Sequence, residues 1–193
     1  MIIGITGGSG CGKTTALNVI RDMGGLILDC DAIYHQLLKT DKTLLTAIED
    51  RFPGTVRDGV LDRKKLGSIV FGDEQALKEL NFITHSAVRA EVVRMLPFAP
   101  SLVAIDAIGL FEGGLATLCD VTVAVTAPVE KRVQRLMQRD GITEEYARQR
   151  IGAQHDDAWF REKCDHVLEN DREFDAFATK CVAFLRNSDI MNL

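Results

Sequence analysis

Along the chain, short unbroken apolar runs alternate with longer stretches whose apolar residues recur every three or four positions. Ile2, Ile3 and Ile5 predict a strand, Gly7 to Gly12 a glycine-rich turn, and Lys13 to Met23 a helix closed by Gly24 and Gly25. Leu26 to Leu28 form a second buried strand that ends at Asp29. Helical patterns follow over Ala32–Leu38 and Leu44–Arg51, then a turn around Arg57–Gly59. Asp62 is placed to cap another helix, and a longer one runs from about Glu74 to Met95, ended by Pro97 and Pro100.

Leu102 to Ile105 predict a third strand stopping at Asp106, and Val121 to Val125 a fourth that is strongly β-branched. Pro128 marks the start of a helix through Val133 and Leu136 to about Gln138. The stretch from Arg139 to Lys163 is polar, arginine-rich and helical in pattern. Val167 and Leu168 make a fifth strand, and Phe174–Leu185 a closing helix. Continuous apolar strands alternating with helices define an α/β, doubly wound, parallel five-stranded sheet covered on both faces. In such sheets ligands sit beyond the carboxyl ends of the strands. Attention therefore falls on Gly7–Thr14, on Asp29 and Asp31, on Asp106, and on Thr126–Pro128. The strand before Asp29 is expected to neighbour the first.

At 193 residues with 46% hydrophobic positions, the chain is long enough for one packed domain. Its formal charge of −5 argues against sequence-independent nucleic-acid binding, so an anionic ligand must be held by a local cluster of donors. No apolar stretch is long enough to span a bilayer, and the N-terminal run lacks the basic leader of a signal peptide. The five cysteines (Cys11, Cys30, Cys119, Cys164 and Cys181) are scattered without a Cys-x-x-Cys pair, which fits a reducing, cytoplasmic location. The four histidines show no metal spacing. A monomer or a weak homo-oligomer is expected.

The chemistry concentrates in Gly7-Gly8-Ser9-Gly10-Cys11-Gly12-Lys13-Thr14, which fits G-x-x-x-x-G-K-[ST] with a strand before it and a helix after it. Glycines there let successive N–H groups turn toward an anion, and the helix adds its positive end. Lys13 would reach the β- and γ-phosphates, and the Thr14 hydroxyl would bind Mg²⁺. The loop amides of Gly8, Ser9, Gly10, Cys11, Gly12, Lys13, Thr14 and Thr15 form the expected cradle for ATP. A position near a helix N-terminus can favour a thiolate, and the sequence leaves the state of Cys11 open.

A nucleotide-switched module and a small-molecule kinase compete for this loop. Asp106-Ala107-Ile108-Gly109 fits the D-x-x-G of a switch GTPase, but no Asn-Lys pair exists to read guanine. Arginines favour the kinase: Arg132, Arg135, Arg139, Arg148, Arg150 and Arg161 crowd one segment. Phosphoryl transfer needs cations that stabilise the moving group while water is kept out. Arg139 is the expected catalytic arginine, and Arg135, one turn earlier, shares its face. Asp31 is the expected acceptor-side carboxylate, orienting or deprotonating a hydroxyl, with Asp29 left as a helix cap. Asp106 is the second candidate for magnesium, and His85, near Arg89, a candidate substrate contact. A nucleoside or nucleoside monophosphate kinase remains the alternative.

In order and spacing the chain resembles the dephospho-CoA kinases. The resemblance rests on Ile5 to Thr15, Asp29-Cys30-Asp31, Leu80-Asn81 with His85, and Asp106 to Glu112. It continues through Arg135 to Asp140, Arg150-Ile151 with Gln154, and Asp165 to Asn170. Ser86, and Ile108 with Gly109, depart from the family's prolines and leucine. The resemblance implies a P-loop fold and transfer of the γ-phosphate of ATP to the ribose 3′-hydroxyl of dephospho-CoA, the last step of coenzyme A synthesis. It implies Arg139 closing over the phosphates, and His85, Leu110, Phe111 and Glu112 shaping the acceptor pocket. It divides the chain into a core (1–38, 100–138, 164–193), a helical CoA-side subdomain (39–99) and a lid (139–163).

Overall fold

The computed structural model describes residues 1–171 and 174–186; the rest of the expected core segment 164–193 lies outside the described residues. Five strands, β1 (Ile2–Thr6), β2 (Leu26–Asp29), β5 (Val103–Asp106), β6 (Val121–Thr126) and β7 (His166–Glu169), form one parallel sheet in the order β2-β5-β1-β6-β7. A small antiparallel hairpin adds β3 (Val56–Arg57) and β4 (Val60–Leu61). The helices are α1 (Lys13–Asp22), α2 (Cys30–Thr40), α3 (Lys42–Arg51), α4 (Arg63–Val70) and α5 (Glu74–Met95). They continue with α6 (Val129–Asp140), α7 (Glu144–Gly152), α8 (Asp157–Lys163) and α9 (Phe174–Leu185).

The strand order corrects one expectation. β2 does not neighbour β1, because β5 pairs with β1 from Ile2↔Val103 to Ile5↔Asp106 and separates the two. Adjacency is decided by which apolar edges fit together after the chain has left the sheet and returned, and a local pattern does not record that. A second difference lies at Arg57–Gly59. Asp58 and Gly59 both have positive φ (51° and 74°), as a tight two-residue hairpin turn requires, so the expected turn carries a strand on either side.

The helices start where short polar side chains can satisfy their first amides. Asp29, Asp41, Asp62, Asp73, Thr143 and Asp156 accept N–H bonds at the starts of α2, α3, α4, α5, α7 and α8. Each such cap contributes about 1 kcal/mol. α1 is the exception that matters for function: its N-cap is Gly12, which has no side chain to offer.

The described residues form two compact units. The first contains Met1–Leu28, Ala99–Leu110 and the described residues from Ala116 onward. Its core joins Ile3 and Ile5 of β1, Val121, Val123 and Val125 of β6 and Leu168 of β7 to Ala16, Leu17 and Ile20 of α1 and to Phe177 and Cys181 of α9. All six residues of β6 are buried, as expected of a central strand covered on both sides. A separate cluster of Val133, Leu136, Ala147 and Ile151 fastens α7 to α6. The second unit contains Asp29–Phe98 and Phe111–Leu115, with α2, α3 and α4 packed on α5.

Candidate active site

β1 runs directly into the glycine loop. Gly7, Gly10 and Gly12 hold φ of 133°, 78° and 98°, values that L side chains rarely adopt. A Cβ at Gly7 would also stand 2.2 Å from the Val125 carbonyl oxygen, so β6 backbone closes one side of the loop. Inside the curl, Cys11 N–H donates to Gly8 O at 3.3 Å and Lys13 Nζ donates to Gly7 O at 2.9 Å. The lysine therefore reaches back over the loop. The uncapped start of α1 at Lys13, Thr14 and Thr15 leaves backbone dipoles directed at whatever the loop holds. Oriented amides, a helix end and an ammonium together form an anion cradle.

Four side chains from the later part of the first unit fix that cradle from outside. Arg132, 4% exposed, donates through Nε to Ser9 O at 2.9 Å. Arg135 Nη1 donates to Gly10 O at 3.1 Å and to Cys11 O at 3.3 Å. Asn170 Nδ2 donates to Cys11 O at 2.9 Å and its Oδ1 accepts from Arg135 at 3.4 Å. Gln154 meets Ser9 as well, accepting its N–H at 2.8 Å and donating to its Oγ at 3.0 Å. Carbonyls tied outward in this way keep the loop's N–H groups turned inward.

Of the six arginines in the polar segment, Arg132 and Arg135 reach the loop and the other four make exposed ion pairs. Arg139 forks onto Asp140 at 2.6 and 2.9 Å, and Arg150 shares that carboxylate at 2.8 Å. Arg148 spans Glu130 and Glu144, and Arg161 pairs with Glu169. The paired arginines depress the carboxyls they meet: hydrogen bonding from Arg139 leads the lowering at Asp140, and from Arg148 at Glu130.

Thr14 stands exposed in the first turn of α1, and Asp106 ends β5 directly beside Ile5. Leu110 is fully buried; a Cβ on Gly4 would meet its Cδ2 at 2.8 Å, so it supports this segment from within. The remaining expected positions belong to the second unit. Asp31 is exposed in the first turn of α2, while Asp29 takes the capping role, accepting Ala32 N–H at 2.9 Å. His85 is half-buried on α5, Phe111 half-buried and Glu112 exposed in the segment that Arg89 touches through Gly114 O.

The helix N-terminus does not make Cys11 a thiolate. Cys11 is 1% exposed, and burial pushes its thiol above the ordinary value, outweighing the pull of Lys13. Sequence reading also passed over Gln154 and Asn170 as loop contacts and treated Arg132 as one arginine among six. Asn170 was within reach, since it directly follows β7 at a strand's carboxyl end.

A parallel sheet, a glycine loop wrapped onto an uncapped helix and a lysine folded across it define a P-loop nucleotide-binding protein. Solved kinases of other small molecules share this fold: a shikimate kinase from Acinetobacter baumannii superposes with a TM-score of 0.54 at 21% identity, covering 97% of this chain and 94% of that one. The dephospho-CoA kinase family model matches residues 1–176, and the chain belongs to that family. The Latilactobacillus sakei dephospho-CoA kinase is 36% identical over 178 residues, 90% of this chain and 88% of the relative. A Thermus thermophilus structure, TT1252, has a TM-score of 0.81 at 33% identity, covering 97% of each chain. The dephospho-CoA kinase from Campylobacter jejuni has a TM-score of 0.70 at 25% identity, covering 100% of this chain and 98% of that one.

Proposed function

We propose that the chain transfers the γ-phosphoryl group of ATP to the ribose 3′-hydroxyl of dephospho-CoA, releasing CoA and ADP. The observation that carries this reading is the glycine loop with Lys13 drawn across it at the start of α1, in a chain of the dephospho-CoA kinase family. The loop from Gly8 to Thr15 holds the triphosphate through those backbone N–H groups that Gln154 and the loop's own carbonyls leave open, and Lys13 places its charge on the outer phosphates. Asp31 orients the acceptor hydroxyl and takes its proton as the new O–P bond forms and the bond to ADP breaks. Arg139, on the segment 139–163 that serves as a lid, exchanges Asp140 for the transferring group and stabilises its charge. Arg135 supports the same phosphates from the loop's outer side. His85, Leu110, Phe111 and Glu112 are the residues assigned to the dephospho-CoA side.

Thr14 and Asp106 offer a hydroxyl and a carboxylate, hard oxygen donors that suit Mg²⁺ when most of its remaining ligands are phosphate oxygens and water. Among the described residues no cluster of three or more His, Cys, Asp or Glu side chains could hold a metal. Bound there, Mg²⁺ neutralises phosphate charge. The enzyme is read as cytoplasmic, supported by five free thiols, and as a monomer or weak homo-oligomer. Among the described residues no helix is long and apolar enough to cross a membrane.

A coupled ADP-release assay with dephospho-CoA beside a panel of nucleosides and nucleoside monophosphates tests the substrate. Dephospho-CoA alone should give turnover; turnover only with a monophosphate would replace this reading. In the same assay Asp31→Asn should lower kcat by about a hundredfold or more with the KM for ATP unchanged. Wild-type turnover in that variant removes Asp31 from the mechanism.

A further inference from the structure

Ser9 is the one loop residue whose N–H, carbonyl and hydroxyl are all met by side chains of the later half of the chain. Its N–H goes to Gln154 Oε1 (2.8 Å), its Oγ accepts from Gln154 Nε2 (3.0 Å), and its carbonyl accepts from Arg132 Nε (2.9 Å). Arg132 Nη2 then closes the ring by donating to Gln154 Oε1 at 3.1 Å. Gln154 is itself held. It lies between α7, fastened to α6 by an apolar cluster, and α8, which Asp156 caps, and its own N–H bonds Ile151 O at 3.1 Å.

Gly8 supplies a separate observation. No positive φ is required there, unlike at Gly7, Gly10 and Gly12. What needs a glycine is space. A Cβ at position 8 would lie 2.1 Å from Arg132 Nη2 and 3.0 Å from Gln154 Oε1. The missing side chain is thus what lets the Arg132–Gln154 pair close on Ser9.

We propose that Gln154 is a positioning residue for the phosphate loop, working as one unit with Arg132 and made room for by Gly8. An amide is suited to this post because it accepts from the Ser9 N–H and the guanidinium through one atom while donating to the hydroxyl through the other. Gln154 thereby makes the loop's grip on the triphosphate depend on the segment that joins α7 and α8. This rests on the reading that the loop binds ATP, and it adds the residue that sets the loop's shape.

The test is steady-state kinetics of Gln154→Ala, Gln154→Glu, Gly8→Ala and the Gln154→Ala/Gly8→Ala double variant, with ATP and dephospho-CoA each varied and circular dichroism confirming the fold. Gln154→Ala should raise the KM for ATP about tenfold, the cost of one to two lost hydrogen bonds, and leave the KM for dephospho-CoA within about twofold. Gln154→Glu, which still accepts from Ser9 and Arg132, should recover most of that loss. Gly8→Ala should copy Gln154→Ala, and the double variant should be no worse than the poorer single one, because both break the same contact. The positioning role is overturned if the KM for ATP stays put in Gln154→Ala and Gly8→Ala, if both substrates' KM values rise together, or if the two changes multiply. Wild-type enzyme inert toward dephospho-CoA is a different failure, which strikes the function proposed above and not the geometry of Ser9.

Discussion

Cys11 shows how burial overrides position. It sits beside Lys13 at the head of a helix, which by itself would favour the thiolate, yet loss of water costs the charged form more. Because the folded-state pKa is raised, this burial stabilises the fold fully below the ordinary thiol value and the benefit fades as pH climbs through the raised one. Alkylation by iodoacetamide at about pH 8, followed by peptide mass spectrometry, should therefore leave Cys11 largely unmodified in the native protein and label it in urea. Rapid native labelling at Cys11 would mean that the loop is more open than described. The same residue-scale physics separates Arg132 from its neighbours: in the sequence it is one more arginine on a polar helix, and only tertiary packing buries it against Ser9. Side-chain partners distant in sequence, such as Gln154 and Ser9, leave no local signature. The glycine loop does, because backbone conformations closed to other residues must be written as glycine.

Elements were legible where their ends carry chemistry. α5 runs from Glu74 to Met95, as the apolar spacing and Pro97 foretell, and the structure adds the Asp73 cap at its start. The β3–β4 hairpin escaped because each strand is two residues long, too short for any alternation to register. Strand order escaped for another reason, since pairing is settled by contacts such as that between β6 and the residues just before β7. There Asp165 Oδ2 accepts from both Thr122 N–H (2.8 Å) and Thr122 Oγ1 (2.7 Å), fixing the register that sets Val123 against His166. Those bonds, led by the Thr122 hydroxyl, hold the Asp165 carboxyl below its usual range. A depressed folded-state pKa gives stability that is present above the unfolded carboxylate value and lost as pH falls through the folded one. Asp165→Asn should thus cost about 1 kcal/mol or less near neutrality, allowing for solvent screening of an exposed group, and the gap should close in acid. Urea midpoints of both proteins from about pH 7 to about pH 3 check this; parallel curves would assign the pair no role in acid sensitivity.

For the molecule as a whole, a net charge of −5 coexists with a site for a polyanion. The two are compatible because binding is local: Lys13, the start of α1 and the outward-tied carbonyls act over a few ångströms, where the surrounding surface charge is screened. The fold class and the donor loop could be read from the sequence because both rest on backbone requirements. The roles proposed for Asp31 and Arg139 depend on where side chains stand relative to the reacting groups, and those a sequence names without placing. The most direct measurement follows the phosphate itself. Incubation with ATP labelled at its γ-phosphate and dephospho-CoA, then chromatography and mass spectrometry of the product, should place the label on the ribose 3′-oxygen of CoA with one ADP formed per label transferred. Label released only as inorganic phosphate, or carried by another acceptor while dephospho-CoA is untouched, would contradict the account.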